Sequence, residues 1–250
     1  MCIIVSDPAG TLPAAPREAE QLVSILDPLP WVQARIRVNP SLEEAHAILY
    51  GYDIVHYIGH GIEQGAEIGW AFHNGVLTPA RILAGAEVRP LPYFVFSNAC
   101  PGEDPFGVSM QAVMAQAFLE AGVTLVIGTQ WDLPDVSAIP FATEVYTSVA
   151  KGLTIGQAVR NARHRLLQQE GDNASWALHL LCGPPDTTLT AKPGSDSVNG
   201  KLGHRVDFPY QKRPLVRVGA GAGEGEAIRP PGIGRKVLLG STTLLLLVGA

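Results

Sequence analysis

A chain of 250 residues that is 46% hydrophobic and only 16% charged has the apolar content for a real buried core and is not a disordered segment; its length suits one substantial α/β domain with an appendage, or two small domains. Three cysteines, Cys2, Cys100 and Cys182, are too few and too scattered for a disulfide framework, and no Cys-x-x-Cys pair or His/Cys cluster has zinc-site spacing, so neither a disulfide scaffold nor a metal site is expected. Residues 1–186 hold 9 Lys/Arg against 19 Asp/Glu, a balance of −10, while residues 187–250 hold 9 against 4, a balance of +5; an acidic body of this kind repels nucleic acid and favours basic partners.

In chain order, Cys2–Ser6 reads as a first strand that turns at Asp7-Pro8-Ala9-Gly10. A signal peptide is not expected there, because no basic region precedes the apolar run and Asp7-Pro8 breaks it. Pro16 opens a helix over Arg17–Leu26, with Leu22, Val23, Ile25 and Leu26 toward the core and Glu18 and Glu20 in the first turn, as the helix dipole prefers. Trp31–Val38 alternates apolar and polar residues and is expected as a strand near a sheet edge. Asn39-Pro40-Ser41 starts a second helix, ending near Tyr50.

Asp53–Gly59 is a β-branched and aromatic run with the signature of a buried parallel strand, followed by His60 and Gly61. Glu67–Phe72 and Val76–Leu77 flank His73-Asn74-Gly75, a hairpin signal. Pro79–Gly85 is a short helix. A second buried strand, Tyr93–Asn98, delivers Ala99 and Cys100, and the loop Pro101–Phe106 follows. A helix from Gly107 to Ala121 stops at Gly122, and Val123–Gly128 is another apolar strand. Beyond the loop Trp131–Pro134 come helices over Asp135–Ala150 and Thr154–Gln169. Ile155, Val159, Ala162 and Leu166 lie on one face of the second, and Arg160, Arg163 and Arg165 lie on a wetter one. Trp176–Leu181 reads as the last core strand, closed by Gly183-Pro184-Pro185.

Strand–helix alternation with one inserted hairpin predicts an α/β fold: a doubly wound, mostly parallel sheet with helices on both faces. Ligand sites in such sheets lie beyond the carboxyl ends of the strands. Residues 187–236, rich in Gly, Pro, Ser, Lys and Arg without periodicity, are expected to be a flexible linker. Residues 237–250 hold no charge, and these 14 residues would span about 21 Å as a helix, short of the roughly 30 Å hydrocarbon core. They read as the front of a transmembrane helix, an interfacial anchor or a docked helix. The membrane reading is favoured, since the run follows a linker and has no amphipathic face; Arg235 and Lys236 would then mark the cytoplasmic side and leave the folded domain cytoplasmic.

A cysteine is most often a core filler, and Cys2 and Cys182, within or at the end of apolar strands, fit that role. Cys100 differs, because it sits where a strand gives way to Pro101-Gly102. His60 lies between two glycines that let the backbone approach a ligand closely, and the Gly61 N–H is placed to donate to an oxyanion. His56, inside the strand, reads as a structural histidine. A thiol and an imidazole at one sheet edge are the minimum equipment for cysteine nucleophilic catalysis, the base activating the sulfur. A free reactive thiol suits a reducing compartment.

Several phrases together resemble the CHAT domain family of caspase-like cysteine peptidases, which often occur with TPR repeats. They are Asp53-Ile54-Val55-His56-Tyr57-Ile58-Gly59-His60-Gly61, Ser97-Asn98-Ala99-Cys100, Phe118–Val123, Gly128-Thr129-Gln130-Trp131-Asp132-Leu133-Pro134-Asp135, and the stretch from Trp176 to Gly183-Pro184. The resemblance covers about residues 2–186. It implies a caspase–hemoglobinase fold, a His60–Cys100 dyad, an oxyanion donor at Gly61, protein substrates, a regulatory protein partner and a signalling or defence role. It implies no metal or organic cofactor, and the acidic body argues against a nucleic-acid partner. Around the expected active edge, Trp131, Asp132 and Asp135 are the candidates for substrate binding. A carboxylate at Asp132 would favour Arg or Lys before the scissile bond, and a pocket lined by Trp131 and Leu133 would favour Leu or Met. The alternative of another class is a catalytically silent interaction module on the same fold. A dinucleotide-binding domain is disfavoured by the first turn, which lacks Gly-x-Gly-x-x-Gly.

Overall fold

The computed structural model describes residues 1–64, 67–86, 91–100, 110–130, 135–170 and 174–189. At Gln64, Cys100, Asp135, Val136 and Glu170 it describes the backbone alone. The sheet is built from β1 (Cys2–Ser6), β2 (Ala34–Val38), β3 (Ile54–Gln64), β6 (Phe94–Cys100), β7 (Leu125–Thr129) and β8 (His179–Cys182) in the spatial order β2-β1-β3-β6-β7-β8. The first five run parallel and β8 is antiparallel to β7. Between β3 and β6 the chain makes a hairpin of β4 (Glu67–Phe72) and β5 (Gly75–Leu77), in which β4 pairs with the far end of β3. This is the doubly wound, mostly parallel sheet with a hairpin insertion that the alternation of elements predicts.

Strand alternation sorts the apolar residues to two faces. Ile4, Ile54, Ile58, Phe94, Phe96 and Ile127 meet α1 (Ala15–Leu26), α5 (Asp135–Ala150) and α6 (Ile155–Glu170) on one face. Val5, Val55, Tyr57, Val95 and Val126 meet α2 (Leu42–Gly51), α3 (Pro79–Ala86), α4 (Met110–Glu120) and the hairpin on the other. Both faces are covered, which is why the central strands read as continuous apolar runs. β2 is the edge strand expected, with Val38 61% exposed.

The local signals act as their chemistry dictates. Ser41 is the N-cap of α2 and forms a capping box with Glu44. Gly122 takes φ of 100° after α4, and the Gly122 and Val123 amides donate to the Leu119 and Phe118 carbonyls, a Schellman stop that favours glycine.

Three expectations shift. β3 does not end at Gly59; it continues through His60 and Gly61 to Gln64, because β4 supplies a new partner where β1 stops. Trp176–Leu181 is not one core strand: residues Ala174–Ala177 form a 3-10 turn, and the short β8 begins at His179. The packed chain reaches Leu189, which is buried, and Thr188 bridges to Thr154, so the first residues of the expected linker belong to the domain. No helix among the described residues is long and apolar enough to cross a membrane, and the apolar run 237–250 lies outside them.

Candidate active site

The β3–β6 ladder is parallel and continuous from Ile54↔Phe94 to His60↔Cys100. His60 and Cys100 are therefore register partners on adjacent strands, whose axes lie about 4.8 Å apart. They are not residues dangling past two strand ends; the imidazole rises from inside β3, and Cys100 closes β6. Of Cys100 only the backbone is described, so the position of its sulfur relative to the His60 ring lies outside the described residues.

The His60 ring is partly exposed, and its Nε2 lies 2.9 Å from Thr11 Oγ1. Thr11 stands in the turn between β1 and α1. That turn is tied down at both ends. The Asp7 amide donates to the Ile58 carbonyl (2.9 Å), and Asp7 Oδ1 accepts the Thr11 amide (2.8 Å), with Asp7 itself at φ 46°. The strand order reverses between β1 and β3, and such a switch point is where open α/β sheets place their ligand crevice.

The backbone around His60 is held from the opposite face. Tyr57 Oη lies 2.8 Å from the His60 carbonyl and 2.9 Å from the Ala71 carbonyl, sharing its one proton between them. Its ring stacks on Trp70 at 4.2 Å and 9°, and Trp70 Nε1 donates to Ser97 Oγ at 3.0 Å. The Tyr57 ring lies across Gly59: a Cβ built there would stand 2.4 Å from Tyr57 Cζ and Oη. Gly59 is thus small to admit a tyrosine of its own strand, not a ligand. Gly61 pairs with Trp70 of β4.

The peptide that leads into Cys100 is clamped as well. The Ala99 carbonyl accepts from Thr129 Oγ1 (2.5 Å) and from Gln111 Nε2 (3.0 Å), both on buried side chains.

Beneath the site runs a buried polar network. Glu18 Oε1 accepts from Asn98 Nδ2 at 2.6 Å and lies 3.1 Å from His56 Nε2. His56 Nδ1 is 3.2 Å from Tyr146 Oη, and Asn98 Oδ1 is 3.3 Å from His179 Nε2. His179 stacks flat on Phe141 at 3.5 Å. Burial, helped by the cations Arg163 and His56 would contribute, lowers the His179 pKa to about 3. Burial also holds the Tyr146 phenol well above its usual value, with Cys2 and Glu18 adding to the effect. The Cys2 thiol is pushed up to about 12, first by burial, so it is an inert core thiol. His56 is the structural histidine the sequence suggests.

Nothing in residue type or periodicity marks Thr11, Gln111 or Thr129. The helix dipole accounts for an acidic residue at Glu18, yet Glu18 is 3% exposed. Its spacing from Ala15, Ala19, Leu22 and Leu26 would have put it on the buried face. Glu63 and Glu67 lie in the paired strands β3 and β4. Trp131 and Asp132 lie outside the described residues; Asp135 opens α5, and its side chain lies outside them too. Among the described residues no three His, Cys, Asp or Glu side chains gather as metal ligands would.

Residues 4–197 match the model of the CHAT domain. No curated protein matches the chain significantly. The Arg-specific cysteine proteinase gingipain R superposes with a TM-score of 0.56 at 15% identity, over 74% of this chain and 46% of that one. The complex of RgpB pro- and mature domains from Porphyromonas gingivalis gives 0.56 at 13% identity, over 74% and 47%. The Saccharomyces cerevisiae separase–securin complex gives 0.50 at 17% identity, over 73% and 11%. The chain spans about half the length of the gingipain chains and about a tenth of the separase-complex chain. At these identities the likeness is one of fold, and that fold is the caspase-like one. With the domain model matched over residues 4–197, nearly all of the described structure, the chain belongs to the CHAT domain family.

Proposed function

We propose that the chain is a cysteine endopeptidase in which His60 and Cys100 form the catalytic dyad. The observation that carries this reading is the His60↔Cys100 register pairing at the β3–β6 edge. The Cys100 thiolate attacks the peptide carbonyl, and the S–C bond forms as the carbonyl electrons move to oxygen. The Gly61 N–H receives the oxyanion. His60 takes the thiol proton and gives it to the leaving amine as the C–N bond breaks. Water, deprotonated by His60, then releases the acyl group and restores the thiol. With Nε2 engaged by Thr11, Nδ1 is the nitrogen available to the sulfur, and Thr11 sets the orientation of the ring. The substrate is a protein segment in extended form, and no cofactor takes part in these steps.

The deciding experiment is digestion of a peptide library by the wild type, Cys100→Ala and His60→Ala proteins, with circular dichroism to confirm folding. Cleavage present in the wild type and lost in both folded variants is the expected result. Full cleavage by Cys100→Ala ends the peptidase reading of this site.

A further inference from the structure

Two neighbouring facts about β6 do not match. Its ladder with β7 stops at Ser97↔Gly128, whereas its ladder with β3 continues to His60↔Cys100. The last residues of β6 therefore have a strand on the β3 side and none on the β7 side. A buried carbonyl in that position needs a donor. Ala99 finds two, and neither is backbone: the Thr129 hydroxyl at 2.5 Å, from the last residue of β7, and the Gln111 amide at 3.0 Å, from the first turn of α4. The amide also lies 3.4 Å from the Thr129 hydroxyl, so the two donors brace each other. Room for Gln111 comes from Gly128, where a Cβ would stand 3.1 Å from Gln111 Oε1. The two side chains are 4% and 2% exposed.

The Ala99 carbonyl belongs to the same planar unit as the Cys100 amide. In a trans peptide the C=O and the N–H point in opposite directions. Fixing the Ala99 oxygen on the β7 side therefore aims the Cys100 N–H toward β3, where His60 and Gly61 stand. We infer that Gln111 and Thr129 are positioning residues: they hold the Ala99–Cys100 peptide so that the nucleophile's backbone and its N–H keep their register against His60. This inference rests on the peptidase reading of the site. Neither residue touches the reacting atoms; both act through the carbonyl they bind.

The test uses the full chain with Thr129→Val, Thr129→Ser and Gln111→Met, each followed by thermal melting, by kcat and KM on a cleaved peptide, and by the pH profile of Cys100 alkylation. Thr129→Val removes the hydroxyl at nearly constant shape, Thr129→Ser keeps it, and Gln111→Met removes the amide donor. Thr129→Val is expected to lower kcat about 10- to 100-fold, the range that misplacement of reacting groups produces. KM should stay within about threefold, and the alkylation profile should shift. Thr129→Ser should return kcat to within about threefold of the wild type, since the donor is restored. Should Thr129→Val fail to fold, Gln111→Met decides by the same criteria. A wild type that cleaves, beside folded variants with unchanged kcat and unchanged alkylation, overturns the positioning role and leaves the peptidase reading standing. A wild type without Cys100-dependent cleavage overturns both.

Discussion

Replacing Glu18 by leucine removes the acceptor at the centre of the buried network. In the folded protein Glu18 Oε1 serves Asn98 Nδ2 and His56 Nε2, and the three residues are 3%, 8% and 0% exposed. Leucine fills much of the space but accepts nothing. Two donors are then stranded in a site that water does not reach, at about 1–3 kcal/mol each, or roughly 2–6 kcal/mol together. Removing one partner from a buried ionic or charge-assisted cluster falls in the same range, about 3–5 kcal/mol. A domain of this kind is stable by only about 5–15 kcal/mol, so the change takes a large share of the whole. Urea unfolding followed by tryptophan fluorescence measures it, because Trp70 is buried in the core and changes environment on unfolding. Combining Glu18→Leu with His56→Phe removes donor and acceptor together, and the double variant should be more stable than the two single losses predict. A coupling of about 1–3 kcal/mol is the range for residues in one network. Glu18→Leu within about 0.5 kcal/mol of the wild type, or single effects that simply add, would show that the network carries no such energy.

Gly59→Ala should destabilise by about 1–3 kcal/mol as an overpacked core does, since the new Cβ would meet the Tyr57 ring at 2.4 Å. It should also lower kcat by moving that ring off the His60 carbonyl; a fully active, fully stable Gly59→Ala protein refutes the close approach. His179 is held neutral in the folded state, with its pKa lowered to about 3 by burial first and by Arg163 and His56 next, while the unfolded chain protonates near 6.5. Stability from this group is therefore complete above the unfolded value and is lost as pH falls from about 6.5 toward 3, by at most about 1.4 kcal/mol per pH unit. Urea titrations between pH 6.5 and 5 should show that slope, and His179→Gln should flatten it; an equal slope in the variant assigns the loss to other groups. For specificity, matched peptides with Arg, Leu and Asp before the scissile bond, cut by the wild type and by Asp132→Ala, should show Arg cleavage reduced selectively in the variant. A wild type that cuts after Leu and ignores Arg removes Asp132 from the pocket.

What the sequence makes legible here is whatever residue type and periodicity encode by themselves. The apolar runs of β1, β3, β6 and β7 have no polar face because both sides of the sheet are covered, and that alone separates them from the alternating edge strand β2. The hairpin announces itself through Asn74-Gly75, and α2 through Ser41 and Glu44. His60 and Cys100 are visible because few other side chains do their chemistry, and parallel strand order alone brings them to one edge. Where the reading stopped short, the deciding partner lay far away in sequence. Gly59-His60-Gly61 looks like the end of a strand until β4 arrives to extend it. Glu18 looks like a dipole residue until His56 and Asn98, 38 and 80 residues away, fill its coordination.

A nucleophile or a base has a function that its own atoms declare. The roles proposed for Thr11, Gln111 and Thr129 exist only in a contact: an oxygen beside His60 Nε2, and two donors on one carbonyl. Threonine and glutamine are common on surfaces and in caps, so nothing in their type marks them. Burial is what changes their meaning. A polar group 2% or 4% exposed must be matched by a partner, and when that partner is the carbonyl preceding Cys100, the proposed nucleophile, satisfying the core and setting the site become one requirement. A substitution that preserves the fold by supplying some other donor to Ala99 could therefore still displace Cys100, and stability and activity would separate at Thr129 more sharply than at any core leucine.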